Sequence, residues 1–155
     1  MQNWDKKIHV QSSLPSKKGQ HAMFVGRWQP LHIGHQELFK RALDEGKNVL
    51  ICIRDIQPDE KNPFTTEQTV EMIEKYHQAK GDDVKVMIIP DIESVNYGRG
   101  VGYEINEFTP TGEIAFISAT KIRDSIKNGD DSWRTMVHES IQEDVIKNLT
   151  TYAKA

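Results

Sequence analysis

The chain has one cysteine, no long apolar run and little net charge, and each shortage argues against a class of protein. The single cysteine, Cys52, cannot form an internal disulfide, and no cysteine–histidine array has zinc-finger spacing. No apolar stretch approaches the roughly 18 residues of a membrane-spanning helix, and residues 1–20 lack the apolar centre of a secretory signal. The net charge of −3 argues against a protein that coats nucleic acid. We therefore expect a cytoplasmic protein without a membrane or nucleic-acid partner.

Apolar runs and turn residues divide the chain. Residues 1–20 are polar and have no sustained hydrophobic periodicity, so they predict a flexible tail, followed by one domain over residues 21–155. Apolar runs predict strands at 22–25, 49–53 and 84–89, with weaker candidates at 103–105 and 114–117. In the second of these runs, Cys52 is expected to be a small buried hydrophobe rather than a nucleophile.

Helical patterns alternate with these strands. They begin near His35, at Thr65 or Thr66, and at Ser118 or Thr120, and glycines follow them. A last amphipathic helix is predicted from Val137, Ile141, Val145 and Leu149, which recur at steps of four. The alternation favours an α/β domain, with a parallel sheet covered by helices on both faces. Ligands bind such sheets beyond the carboxyl ends of the strands, where loops 26–35 and 117–121 would lie.

Residues 26–35 combine several groups that suit a phosphate. Gly26 ends a predicted strand and would let a ligand approach the backbone. His32 and His35 lie where a helix begins, and helix N-termini favour anions. Imidazoles add N–H donors and are cationic when protonated, while Arg27 adds a forked cation. The two histidines could instead be half of a metal site or ordinary surface residues, although no third ligand is obviously placed to complete a metal site.

Residues 117–123 form a second candidate anion-binding turn. Ser118 and Thr120 offer hydroxyls at a predicted helix start, and Arg123 lies in the first turn. A plain N-cap beside a solvated arginine is the alternative interpretation. Two such turns, each between a predicted strand and a helix, favour a shared polyanion.

The two segments resemble known motifs. Residues 26–35 resemble the Gly-Arg-Phe-Gln-Pro-x-His-x-Gly-His signature of the His-x-Gly-His nucleotidyltransferase superfamily, and residues 117–123 look like its Ile-Ser-x-Thr-x-Ile-Arg motif. Residues 61–66 and 89–92, and Trp133 with Val137, are similar to segments of archaeal-type nicotinamide mononucleotide adenylyltransferases. With gaps, the resemblance covers most of residues 22–150.

This resemblance implies a Rossmann-like fold and transfer of AMP from ATP to a small phosphorylated acceptor, with release of pyrophosphate. Nicotinamide mononucleotide is the first candidate for the acceptor, and Mg²⁺ would be carried by the triphosphate rather than by a protein metal site. Members are often oligomeric, so a homo-oligomer is possible. The resemblance implies catalytic roles for His32, His35 and Arg123. The implied nucleotide-binding residues are Phe24, Val25, Gly26, Arg27, Gln29, His32, His35, Ser118, Thr120 and Arg123.

The chain departs from the family on the acceptor side. Gln68 and Thr69 stand where the family usually has Glu-Arg, and residues 95–103 replace a strand and its Gly-Asn turn. The candidate acceptor-binding residues are Asp91, Ile92, Asn96, Tyr97 and Arg99. Two alternatives stay open, a cytidylyltransferase that uses CTP with an alcohol or sugar phosphate, and a nucleotide-binding regulatory module without turnover.

Overall fold

The computed structural model describes residues 19–82, 84–100, 102–107 and 117–154. Its sheet has three parallel strands in the order β1 (His21–Gly26), β2 (Asn48–Asp55) and β3 (Val84–Pro90). The helices are α1 (Ile33–Asp44), α2 (Thr66–Lys80), α3 (Ala119–Lys127) and α4 (Gln142–Lys154). The predicted α/β class and parallel sheet are therefore confirmed. The predicted tail lies almost entirely outside the described residues.

One face of the sheet carries the core. Val49 pairs with Val84, Ile51 with Val86 and Ile53 with Ile88, and all six side chains are buried. Because both crossovers run in one direction along the sheet, right-handed connections place α1 and α2 on the same face. The rings of Phe39 in α1 and His77 in α2 accordingly lie 5.7 Å apart. A helix on the second face stays a prediction.

Several element boundaries follow from local capping. Thr65 caps α2 and exchanges hydrogen bonds with Gln68, and Gly81 ends the helix with a left-handed φ of 74°. Ser118 caps α3 by accepting from the Lys121 amide. Cys52 is buried as expected, and burial raises the pKa of its thiol to about 11.

The C-terminal region differs from the predicted single helix. Two 3-10 segments, Ser132–Met136 and Glu139–Ile141, precede α4, with Val137 in an extended conformation between them. The Gln142 side chain donates to the carbonyls of Arg134 and Val137, which satisfies backbone groups that a continuous helix would have used. The four apolar residues at steps of four are nevertheless all buried, so their pattern identified the core but not the start of the helix.

Two weaker strand predictions have different outcomes. Residues 102–107 lie in no strand, and Tyr103 and Ile105 are exposed. The candidate strand at 114–117 falls on residues outside the described ranges, except for Ile117. Among the described helices, we find none that is long and apolar enough to cross a bilayer.

Candidate active site

The Trp28 indole packs against the end of β1. A Cβ atom on Gly26 would lie 2.8 Å from the Trp28 ring, so glycine is needed at this position for the indole. The structure thus gives Gly26 a packing role, and the close approach of a ligand to this residue stays a prediction. Trp28 is 3% exposed, adopts a positive φ of 54° and donates from Nε1 to the Cys52 carbonyl at 3.0 Å.

The two histidines of the first motif form a stacked pair at the start of α1. His32 is the N-cap, and its Nδ1 accepts from the Gly34 amide at 3.0 Å. The His35 Nδ1 accepts from the His32 amide at 3.3 Å. The ring centroids of His32 and His35 are 3.8 Å apart. Trp28 and His35 meet edge to face, with their ring centroids 4.8 Å apart. The helix begins two residues earlier than predicted because His32 itself caps it.

Burial determines the charge of this pair. Desolvation lowers the pKa of His32 to about 4, and desolvation together with the neighbouring His32 lowers the pKa of His35 well below its usual range. Both rings are therefore neutral at pH 7. Since each Nδ1 accepts a backbone N–H, the ring proton belongs on Nε2. Both side chains thus have a neutral N–H donor left for a ligand.

Gln29 connects the first motif to the segment before α2. Its Oε1 accepts from the Phe64 amide at 2.8 Å, and its side chain is 5% exposed. The preceding turn is organised by Asp59, whose carboxylate accepts from the amides of Lys61 and Asn62. Hydrogen bonds from Asn62 lower the pKa of this exposed carboxyl. This arrangement brings Lys61 to the site.

Arg123 joins the second motif to the first. Its Nη1 donates to the Gln29 carbonyl at 2.7 Å across 94 residues of sequence, and its Nη2 contacts Thr120 Oγ1 at 3.4 Å. The side chain is 7% exposed, and desolvation lowers the pKa of the guanidinium. Arginine stays charged despite such a shift, so a fixed cation lies between the two motifs.

Both motifs line a single cleft of about 390 Å³, which we call the first cleft. Of the predicted nucleotide-binding residues, it contains Arg27, Gln29, His32, His35, Ser118, Thr120 and Arg123. Phe24 lies elsewhere, with its ring packed in the core on Phe39 at 5.3 Å. Trp28 and Lys61 also line the first cleft and were not predicted as site residues. Lys61 precedes the Asn-Pro-Phe-Thr segment, which was the available signal for it.

A second cleft of about 400 Å³ adjoins the first, and Arg27 lines both. Its other lining residues are Val25, Gly26, Arg54, Ile92, Glu93, Ser94 and Val95. Of the predicted acceptor residues, the structure brings Ile92 here, and Asp91 lies beside it in an ion pair with Arg54.

The other predicted acceptor residues do not line either cleft. Asn96 donates to Ser94 Oγ at 2.8 Å, Tyr97 is 65% exposed, and Arg99 is exposed. The sequence does not single out Arg54, because a basic residue at the end of a strand carries no local signal of a site.

The described residues contain no group of three histidine, cysteine or carboxylate side chains placed to hold a metal ion. The polar part of the first cleft's lining consists of cationic, hydroxyl, amide and imidazole groups, and no carboxylate is among its lining residues. Such a lining complements a polyanion, and it leaves any accompanying cation to be bound by the ligand's own oxygens and water.

Comparisons with known proteins agree with this chemistry. The cytidylyltransferase-like family model matches residues 23–96. A nicotinamide-nucleotide adenylyltransferase of Pyrobaculum arsenaticum is 29% identical over 82% of this chain and 87% of its own length. One from Ignicoccus hospitalis is 28% identical over 83% of this chain and 91% of its own. One from Archaeoglobus fulgidus is 40% identical over a shorter stretch, 44% of this chain and 43% of its own.

Proposed function

We propose that this chain is a nucleotidyltransferase of the His-x-Gly-His superfamily, which transfers AMP from ATP to nicotinamide mononucleotide and releases pyrophosphate. The relatives are named for this acceptor, and similarity to them extends over about four fifths of the chain. Their names also favour adenylyl over cytidylyl transfer.

The observation that carries the proposal is the meeting of the two motifs in the first cleft. Arg123 donates to the Gln29 carbonyl at 2.7 Å, so the second motif is held directly against the first. A triphosphate in this cleft would meet the donors of both turns at once. Preorganised donors of this kind stabilise charge as it develops in a transition state.

The reaction needs positioning rather than a covalent nucleophile. A phosphate oxygen of the acceptor attacks the α-phosphorus of ATP, the bond from the α-phosphorus to its bridging oxygen breaks, and pyrophosphate leaves with the electron pair. The Nε2–H groups of His32 and His35 would donate to α- and β-phosphate oxygens. Arg27, Lys61 and Arg123 would neutralise the triphosphate, while Ser118 and Thr120 would orient it.

Magnesium fits this site as an ion carried by the triphosphate, because the lining of the first cleft supplies no carboxylate for it. When bound, it would neutralise phosphate charge and favour departure of pyrophosphate. The residues of the chain would surround the remaining phosphate oxygens. Cytoplasmic localisation and self-association stay predictions from the sequence.

The proposal is tested by a matrix of ATP and CTP against nicotinamide mononucleotide, an alcohol phosphate and a sugar phosphate, read by pyrophosphate release with Mg²⁺. We expect release with ATP and nicotinamide mononucleotide. Release with CTP and an alcohol or sugar phosphate would instead favour the cytidylyltransferase alternative. Nucleotide binding without release in any combination would favour a regulatory module.

A further inference from the structure

We propose that Arg54 binds the phosphate group of the acceptor in the second cleft, and that Asp91 positions its guanidinium. This inference rests on the proposed function, since it names the subsite in which the acceptor phosphate binds before it attacks ATP. Arg54 lies near the carboxyl end of β2, the edge of a parallel sheet at which ligands bind.

The side chains of Arg54 and its neighbour in β2 point to different faces of the sheet. Asp55, the next residue, accepts from Thr66 Oγ1 at 2.9 Å and so faces the start of α2. Side chains alternate along a strand, and Arg54 accordingly lines the second cleft. The side chain of Arg54 is only 19% exposed, so its guanidinium is fixed by the surrounding residues rather than mobile in solvent.

The ion pair with Asp91 leaves donors on Arg54. Nη1 of Arg54 contacts Asp91 Oδ1 at 3.0 Å, and the same oxygen accepts from the Ile92 amide at 3.0 Å. A guanidinium has five N–H groups in a planar fork, and the hydrogen bonds described for Arg54 use Nη1 alone. Asp91 is 61% exposed, so it orients the fork without fully neutralising it.

Charge and placement favour a phosphate in the second cleft. Arg54 and Arg27 line it together; the carboxylates near them are Glu93, which also lines the cleft, and the exposed Asp91, which pairs with Arg54 at its edge. Arg27 also lines the first cleft. A phosphate held between Arg54 and Arg27 would therefore lie beside the triphosphate, which is where an attacking oxygen must be placed.

The test compares nicotinamide mononucleotide with nicotinamide riboside, which is the same nucleoside without the phosphate. Binding is measured by calorimetry on the full chain, with the first cleft saturated by α,β-methylene ATP and Mg²⁺. For Arg54→Gln we expect the Kd of the mononucleotide to rise on the order of 10- to 100-fold, the scale of one lost charge-assisted contact. The Kd of the riboside should change less than about 2-fold, because the riboside carries no phosphate for Arg54 to bind.

Three further variants separate phosphate binding from a structural role. Asp91→Asn removes the carboxylate charge but keeps an oxygen that can accept from Nη1 and hold the fork in place, so it should change the Kd of the mononucleotide by less than about 3-fold. Arg41→Gln, at the far end of α1, is the matched arginine control and should leave both values unchanged. If Arg54→Gln fails to fold, Arg54→Lys keeps a point charge and should retain part of the preference for the phosphate.

Each result bears on one proposal or the other. Equal loss of mononucleotide and riboside binding in Arg54→Gln, or an equal effect of Asp91→Asn, would overturn the phosphate subsite. So would wild-type protein that binds the mononucleotide no more tightly than the riboside. An Arg54-dependent phosphate preference without pyrophosphate release from ATP would keep the subsite and refute the proposed reaction.

Discussion

The two clefts share Arg27 but are built differently. In the first cleft, buried contacts join distant parts of the chain, from Arg123 to the Gln29 carbonyl and from Phe64 to the Gln29 side chain. In the second, much of the wall comes from residues 92–95, which follow β3 in an irregular segment, and Val95 is 67% exposed. Under the proposed function, the first arrangement would preorganise donors for one chemistry. The second would leave the choice of acceptor to a loop, where binding residues tend to vary.

The largest expected effect is loss of turnover when a donor is removed from the first cleft. Asparagine at position 32 can still cap α1, but it lacks the Nε2–H group. For His32→Asn we therefore expect kcat to fall by about 10²–10³, the scale for losing one preorganised transition-state donor. Pyrophosphate release under saturating substrates measures this.

His21→Asn is the matched control, because His21 contacts the Gly19 carbonyl and does not line either cleft. It should keep full turnover. If folded His32→Asn were as fast as the wild type, the first cleft would not be the reaction centre and the contrast between the clefts would lose its functional meaning.

Acid should destabilise the folded protein through the buried His32 of the first cleft. In the folded protein the pKa of His32 is about 4, whereas the unfolded chain accepts a proton near the ordinary value of 6.5. Between these values the unfolded state binds more protons, so the free energy of unfolding falls as pH is lowered. Lowering the pH from 7 to 5 should cost about 2 kcal/mol from His32 alone.

Urea unfolding at pH 7 and pH 5 measures the loss, and His32→Asn serves as the comparison because asparagine does not titrate. The variant should lose less stability than the wild type over this interval. If both proteins lost the same free energy of unfolding between pH 7 and pH 5, His32 would take up a proton equally in the folded and unfolded states. That result would contradict a buried neutral donor.

A loss of stability of similar size should follow from adding one methyl group under Trp28. In Gly26→Ala the new Cβ would lie 2.8 Å from the indole ring, so the ring must shift, at a cost of about 1–3 kcal/mol in the free energy of unfolding. Gly98→Ala is the control in the acceptor-side loop, because a Cβ there meets nothing within 4 Å. Chemical denaturation of both variants measures the difference, and equal stability would contradict tight packing at the end of β1.

Local rules predicted much of the framework. Thr65, Gly81 and Ser118 act at helix ends, and each depends on residues within a few positions along the chain. The two histidines could be placed together for the same reason, since His35 follows the N-cap by three residues. Such short-range geometry is largely specified by residue type and spacing.

Long-range packing accounts for what the sequence could not predict. Trp28 contacts Cys52 across 24 residues, and Arg54 meets Asp91 across 37, so neither contact leaves a periodic or adjacent signal. Val137 and Ile141 show the reverse case, because helical spacing correctly identified buried positions although the backbone there is not α-helical. Spacing reports which residues face the core, while the hydrogen bonds of Gln142 determine where α4 starts.

The smallest expected effect concerns Arg99, which the sequence made a candidate for the acceptor phosphate. Arg99 is exposed in the segment after β3 and does not line the second cleft, whereas Arg54 does. For Arg99→Gln we expect the acceptor KM to change by less than about 2-fold, because an exposed cation outside the cleft contributes little to binding there. Steady-state kinetics with the acceptor varied at saturating ATP measures it, with Arg54→Gln run alongside. A larger KM increase in Arg99→Gln than in Arg54→Gln would mean that the loop closes over the acceptor on binding and that the exposed arginine supplies the decisive charge.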